Sequence, residues 1–166
     1  MMMISYIMIV SEPFLQISGI VVTAILGLSV LVSTIIFNRS QTKIARHRLQ
    51  KELFGEFNKR YDVLNCYLEK ITKYESLEHL MNKKPNKYPF LRSKLNDYFN
   101  LCAEEFYWYK CGSIEKDLWN SWEVGMNFWY NNYPIVREAW NEEYKSFGHH
   151  AFYLKKGEQF FKDYKK

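Results

Sequence analysis

The sequence predicts an all-α protein in two parts, a membrane-crossing helix near its start and a helical bundle after it. Three observations predict this. Residues 14–37 form an unbroken uncharged apolar run. Apolar residues recur at three- to five-residue steps through the remainder. Breakers, rather than strand-like alternation, divide that remainder into segments.

The first part is read from residues 14–37. A helix needs about 20 predominantly apolar residues to cross a hydrocarbon core of roughly 30 Å, and this uncharged run is 24 residues long. In lipid every backbone N–H and C=O must be paired within the segment, so a single span is helical despite its many β-branched residues. Pro13 suits a first turn, where a missing donor costs nothing. A cleaved signal peptide is disfavoured, because no positive charge precedes the run and the run exceeds an ordinary h-region. Residues 1–10 are apolar but too short to cross; Glu12 and Pro13 predict a break after them. The predicted division is therefore an extracytoplasmic segment 1–13, a span 14–37 and a domain 38–166.

Charge sets the orientation. Every Lys and Arg lies at Arg39 or later, and five of them (Arg39, Lys43, Arg46, Arg48 and Lys51) follow the span directly. The positive-inside rule then puts the N-terminus outside and the domain in the cytoplasm, which in a bacterium means the inner membrane. The mean hydropathy of −0.37 conceals this segregation, and all the basic residues behind the net charge of +5 and the pI near 9.0 lie in the second part. Lipid headgroups are the nearest anionic neighbour for such a domain; net charge alone does not separate them from nucleic acid. The three cysteines form no C-x-x-C, and their odd number fits reduced thiols.

Within the span Gly19, Thr23 and Gly27 recur every fourth residue, a small-xxx-small pattern that lets helices approach closely in lipid. Gln16, Thr23, Gly27 and Thr34 fall near one weakly polar face, and Ser18, Ser29 and Ser33 add hydroxyls. This predicts helix association, and around a water-filled centre it predicts a pore. The span carries no charge, so it suggests neither a proton relay nor a voltage sensor.

In the second part Ile44, Leu49, Leu53, Phe57, Tyr61, Leu64, Leu68 and Ile71 read as one long helix continuing from the membrane, with a kink expected near Gly55. Residues 82–89, with two prolines, read as a loop. A helix over 90–110 follows, with Leu95, Phe99, Cys102, Phe106 and Tyr109 on its apolar face. Gly112 suits its left-handed terminus, and Ser113 suits the N-cap of the next helix. That helix carries Leu118, Trp122, Met126 and Trp129. Pro134 opens another, with Val136, Trp140, Tyr144 and Phe147, ending at Gly148. A short amphipathic tail with Phe152, Phe160, Phe161 and Tyr164 completes an up-down bundle. Trp108 and Trp119 lie off these faces and are expected at a subunit contact or a membrane interface.

The sequence carries few residues in catalytic patterns. Helical metal-independent RNases pair an Arg with a His that follows after four to six residues, the His moving protons and the Arg holding phosphate. Here seven residues separate Arg39 from His47, and eleven separate Arg137 from His149. A spatial pair of Arg137 with His149 or His150 stays open. Adjacent His149 and His150 point about 100° apart on a helix and lack supporting ligands, so no metal is expected. Glu104-Glu105 and Glu142-Glu143 read as solvated faces. No phosphate-binding glycine loop, catalytic triad or nucleic-acid module is found, so neither a catalytic residue nor a cofactor is assigned.

The layout resembles the small membrane accessory proteins encoded beside RNA-targeting type VI-B CRISPR effectors. Residues 95–99 (LNDYF), 104–115 (EEFYWYKCGSIE) and 118–119 (LW) also look like those of a widespread bacterial helical family of unknown function. The first resemblance implies a divergent HEPN-like bundle on an N-terminal span, assembled with copies of itself into an inner-membrane pore that strengthens anti-phage defence. It implies a functional link to an RNA-guided CRISPR effector and no direct contact with nucleic acid.

Taken with the residues, the resemblance implies that Gln16, Ile20, Thr23, Gly27, Val30 and Thr34 line the channel. Ile20 and Val30 would form apolar constrictions able to gate by dewetting, and Arg39, Lys43 and Arg46 would form a basic inner mouth favouring anions. Two rival readings remain: a membrane-tethered HEPN-like RNase using a His outside the usual spacing, and a non-catalytic scaffold recruiting a cytosolic partner.

Overall fold

The computed structural model describes the backbone of residues 2–164 and the side chains of residues 17–164. It is all-helical, with no strand among the described residues. The elements are α1 (Met2–Ile71), α2 (Leu77–Lys83), α3 (Tyr88–Lys110), α4 (Lys116–Asn132) and α5 (Pro134–Phe147), followed by a 3-10 turn at His149–Phe152. The chain divides into two compact units, Met1–His47 and Arg48–Lys166, with α1 contributing to both.

The first unit consists of the early part of α1. The backbone is helical on both sides of Pro13, so the predicted break there is corrected. A proline removes one ladder donor, and the apolar residues flanking it still have helix as the one state that pairs their remaining backbone groups. The predicted division at 13/14 thus has no counterpart in the backbone, and the Gln16 side chain lies outside the described residues. From Ile17 to Phe37 every residue is exposed, and the apolar window here has a mean hydropathy of 2.6 with none of it buried. This is one helix long and apolar enough to cross a membrane.

In the second unit α1 supplies Leu53, Phe57, Leu64, Leu68 and Ile71 to the core. The helix is continuous through Gly55. Ile44 and Leu49, predicted on the same face, are instead 43% and 36% exposed. They share the periodicity of that face but precede the residues over which the other helices pack. Where α1 ends, Thr72 folds back, both its amide and its hydroxyl donating to the Leu68 carbonyl. The chain then forms α2, which the sequence reading did not anticipate. Ser76 caps it by accepting from the His79 amide at 3.0 Å, and Glu138 of α5 accepts from the Leu77 amide at 2.9 Å.

Helix α3 begins two residues earlier than predicted, with Pro89 in its first turn. It ends in a Schellman closure: the Ser113 amide donates to the Trp108 carbonyl and the Gly112 amide to the Tyr109 carbonyl. Gly112 has φ +72°, as its predicted position requires. Because the Ser113 backbone serves this closure, the N-cap of α4 falls at Glu115 and not at Ser113. Tyr133 ends α4 and starts α5, and Pro134 occupies the first turn of α5.

Helices α3, α4 and α5 pack mutually, and α2 lies on α5. Their common centre is Trp140, 2% exposed. Its ring meets Phe99 at 5.4 Å, Phe152 at 4.7 Å, Phe160 at 4.8 Å and Phe161 at 5.1 Å. Trp119 also belongs to the core: it is 3% exposed, stacked on Tyr109 at 4.9 Å and tilted against Phe106. Trp108 is half-buried against the same core. The expectation of a subunit or membrane contact for Trp119 is therefore corrected, because the turn after α3 presents this ring to the Tyr109 face. Phe147, predicted apolar-facing, is 66% exposed at the end of α5.

The tail is a strap and not a helix. Buried Asn127 accepts from the Lys162 amide at 2.6 Å and donates to the Glu123 carbonyl. Asn131 donates to the Lys162 carbonyl and accepts from the Tyr164 amide. These two side chains from α4 replace the partners that a sheet would give the strap backbone. They thereby seat Phe160 and Phe161 beneath it, with Phe161 stacked on Tyr130 at 4.8 Å.

Because Trp140 joins α5, α3 and the strap, Trp140→Ala is expected to destabilise the bundle by about 3–5 kcal/mol. Denaturant unfolding of the detergent-solubilised full chain, followed by fluorescence of the remaining tryptophans, measures it. Asn127→Ala is expected to expose the strap to limited proteolysis at residues 155–164 while α1–α5 stay protected.

Candidate functional site

Two places in the molecule combine exposure or burial with unusual chemistry: the apolar stretch of α1 and a small cavity inside the bundle.

On α1, Ile20, Thr23, Gly27, Val30 and Thr34 follow one another by three or four residues and so form a single stripe along the helix. Ile20 and Val30 are 70% and 63% exposed. The Thr23 hydroxyl donates to the Gly19 carbonyl at 2.9 Å, Thr34 to Val30 at 2.8 Å, and Ser29 to Leu26 at 2.8 Å. Each hydroxyl hydrogen is thus satisfied within its own helix, which makes these residues compatible with lipid and leaves only oxygen lone pairs to face a neighbour. A shallow groove runs beside Gly19, Ile20, Thr23 and Ala24. Gly19 and Gly27 have open space where a Cβ would stand. The groove at the edge of the stripe, beside Gly19 and Ala24, is therefore unobstructed, which suits a second helix lying next to the stripe while the stripe itself stays open.

Arg39, Lys43 and Arg46 are all exposed, on successive turns of α1 beyond the apolar stretch. None forms an ion pair among the described residues, so their charges stay available to an anionic surface.

The histidine and arginine side chains left open by the sequence do not converge on a reacting centre. Arg137 donates from Nη2 to the Tyr130 and Asn131 carbonyls at the end of α4, and lies over the Tyr130 ring at 5.4 Å. It serves the negative end of that helix. The His149 and His150 rings lie 4.0 Å apart on the turn after α5. Among the described residues neither bonds to Arg137, and no group of three or more His, Cys, Asp or Glu side chains comes together.

The acidic pairs behave differently from the expected solvated faces. Glu104 receives a bidentate bond from Arg60 of α1, at 2.6 and 3.0 Å. Glu143 accepts from Arg92 at 2.7 Å, with Glu142 at 3.6 Å and Asn96 also holding that guanidinium. These pairs tie α1 to α3 and α3 to α5. Glu105 is 6% exposed and accepts no hydrogen bond among the described residues. Adjacent helical residues point about 100° apart, so when Glu104 reaches out to Arg60, Glu105 turns inward. Tyr98, Cys102 and Glu105 in fact follow one another by four and three residues, a stripe within the apolar face of α3; that spacing was the available sequence signal.

Inside, Glu105 lines a cavity of about 150 Å³ with Asn58 and Tyr61 of α1, Tyr98 and Leu101 of α3, and Ser121, Trp122, Gly125 and Met126 of α4. Tyr61 accepts from Trp129 Nε1 at 2.9 Å. The Tyr98 hydroxyl is buried without a hydrogen bond, and its polar neighbour is the weakly bonding Cys102 thiol. Burial pushes the Glu105 carboxyl up to about 8, with the Arg60 guanidinium opposing the rise and Glu104 adding to it. Burial likewise raises the Tyr98 hydroxyl and the Cys102 thiol.

An acid whose folded value is raised binds more protons folded than unfolded, so its contribution to stability declines as pH climbs. The window runs from the ordinary 4.5 to about 8. Within it Glu105 is expected to lower stability by about 1.4 kcal/mol per pH unit, and Glu105→Gln is expected to flatten that slope and raise the melting temperature at pH 8. Thermal unfolding of the detergent-solubilised full chain between pH 5 and 8 checks both outcomes.

No family model matches the sequence, and neither the curated proteins nor the solved structures offer a match, so the function is argued from these residues.

Proposed function

We propose that this chain is a single-pass membrane protein that self-associates through its span, and that the assembled spans surround a gated pore. The carrying observation is the fully exposed, uncharged stretch of α1 with the groove at Gly19, Ile20, Thr23 and Ala24. Thirteen large apolar side chains between Ile17 and Phe37 turned to solvent would be a severe liability in water and are ordinary in lipid. In lipid, close backbone approach at small residues drives helix pairing.

The basic residues Arg39, Lys43 and Arg46 support a cytoplasmic bundle, since lysine and arginine next to a span favour the inner leaflet. In such an assembly the stripe from Gln16 to Thr34 faces the axis. Threonine oxygens offer lone pairs to water, Ile20 and Val30 form the narrow dewetting rings, and the basic mouth attracts anions. In the role implied by the resemblance to type VI-B accessory proteins, opening during phage infection dissipates the membrane potential and slows the host cell. On this reading the bundle is non-catalytic and senses or couples the trigger.

The mass of the detergent-solubilised protein tests the assembly first: a defined multiple of 20.1 kDa is expected, and a monomer overturns the proposal. Gly27→Leu should reduce that multiple by closing the approach between spans. Vesicles containing the protein should release a trapped small anion, with release falling several-fold when Arg39, Lys43 and Arg46 are all changed to Gln. In infected cells a potential-sensitive dye should report depolarisation that Gly27→Leu abolishes, whereas His149→Ala with His150→Ala leaves it unchanged. Persistence of activity after exchange of the span for an unrelated monomeric one would instead identify a scaffold.

A further inference from the structure

We propose that the cavity beside Glu105 is a binding site for a small organic cation, an alkylammonium of about benzene size. Three features of the bundle carry the argument, and none depends on the span or on a pore.

The first is shape. A void of about 150 Å³ is the size that holds one benzene-like molecule in a protein interior. It lies among α1, α3 and α4 and opens to solvent past exposed Ser121. Gly125 contributes backbone without a side chain, and nothing lies within 4 Å of where its Cβ would be. Glycine here adds no side chain to the space, in a helix where alanine would be more stable.

The second is unmet bonding capacity. A carboxyl 6% exposed, which accepts no hydrogen bond among the described residues, lines this space. Buried polar groups left unpaired are costly, and native interiors ordinarily pair them. An ammonium group meets that need: it donates to the Glu105 carboxylate, and the Asn58 amide oxygen offers a second acceptor.

The third is charge and ring chemistry. Tyr61 and Trp122 line the same walls, and aromatic faces attract an alkylammonium. Leu101 and Met126 accept its hydrocarbon part. The neighbouring charges are arranged to leave Glu105 free for the task. Arg60, the nearest cation, is held bidentately by Glu104, with Glu56 at 3.9 Å on the same guanidinium. On α4, Glu123 is paired with Lys162. Of the charged groups on α1, α3 and α4 that face this space, Glu105 is the one that no counter-ion contacts among the described residues.

Binding couples to protons. The empty site favours the neutral carboxyl, and the cation requires the carboxylate, so one proton leaves Glu105 as the ligand enters. Affinity should then fall about tenfold for each pH unit below 8.

The test uses n-butylammonium as the probe and 1-butanol as its neutral counterpart, with the full chain in detergent at pH 7 and 8. Calorimetry and the fluorescence of Trp122 and Trp129 report binding. The expected result is saturable binding of the ammonium that is at least tenfold tighter than that of the alcohol. Release of about one proton at pH 7 should appear as a dependence on buffer ionisation enthalpy. Glu105→Gln should weaken the ammonium at least tenfold and leave the alcohol unchanged. Gly125→Leu, which keeps the carboxyl and fills the space, should abolish both. Equal affinity for the two probes overturns the proposal in favour of a plain apolar void, as does ammonium binding that survives Glu105→Gln. Absence of saturable binding at either pH overturns it outright.

Discussion

The bundle depends on the burial of one indole. Trp140 is the residue through which α5 touches α3 by way of Phe99 and the C-terminal strap by way of Phe152, Phe160 and Phe161. Tilted and edge-on ring contacts of this kind add to the area they bury, because a ring edge meets the electron-rich face of its neighbour. A chain whose residues are 18% aromatic can therefore build a well-packed core from few side chains. The strap has too little regular structure to satisfy its own backbone, and Asn127 and Asn131 complete it. Phe160 and Phe161 accordingly reach the core only when α4 has formed.

That arrangement has a consequence for α3. Phe99 is committed to Trp140, and Tyr98, next to it, points elsewhere in the interior. One turn and two turns further along the same stripe come Cys102 and Glu105. The register that fits Phe99 to the indole thus also carries a carboxyl and a phenol into the interior, and α4 leaves room for them at Gly125. The bundle tolerates the buried carboxyl because it stays protonated near neutral pH. A charge there would have to be matched from within the cavity.

Charges elsewhere follow the opposite rule. Arg60 with Glu104, Arg92 with Glu143, Lys110 with Glu158 and Lys162 with Glu123 all join segments distant in sequence at 2.6–2.7 Å. Partly exposed pairs of this kind contribute about 1 kcal/mol or less each, so they specify which helix meets which more than they hold the fold together. The basic run of Arg39, Lys43 and Arg46 on α1 differs in having no such partners among the described residues. In the proposed membrane setting its counter-ions are lipid phosphates, and the apolar stretch before it is solvated by acyl chains. The self-bonded threonine hydroxyls suit that solvent, since a donor left open to hydrocarbon would be costly.

Much of this was legible in the amino-acid order. The uncharged run of 24 residues determines a long apolar helix, because no other backbone state is paired along its whole length in lipid. Breakers with fixed local geometry marked the ends: Pro89, Gly112, Pro134 and Gly148 each stand at or beside a helix terminus, since ring closure or a positive φ constrains the chain there without help from distant residues. Tertiary structure decided the rest. Leu49 and Leu53 obey the same periodicity, yet only Leu53 is covered; Trp119 fell off its helix's apolar stripe, yet the turn after α3 delivers it to Tyr109. Short α2 depends on Glu138 from another helix. The spacing of Glu105 from Tyr98 and Cys102 hints that it turns inward, but only packing supplies Arg60 of α1 as the partner that holds Glu104 outward. Local order sets the helices, because their hydrogen bonds span four residues; the environment of a side chain depends on helices tens of residues away, which only packing brings together.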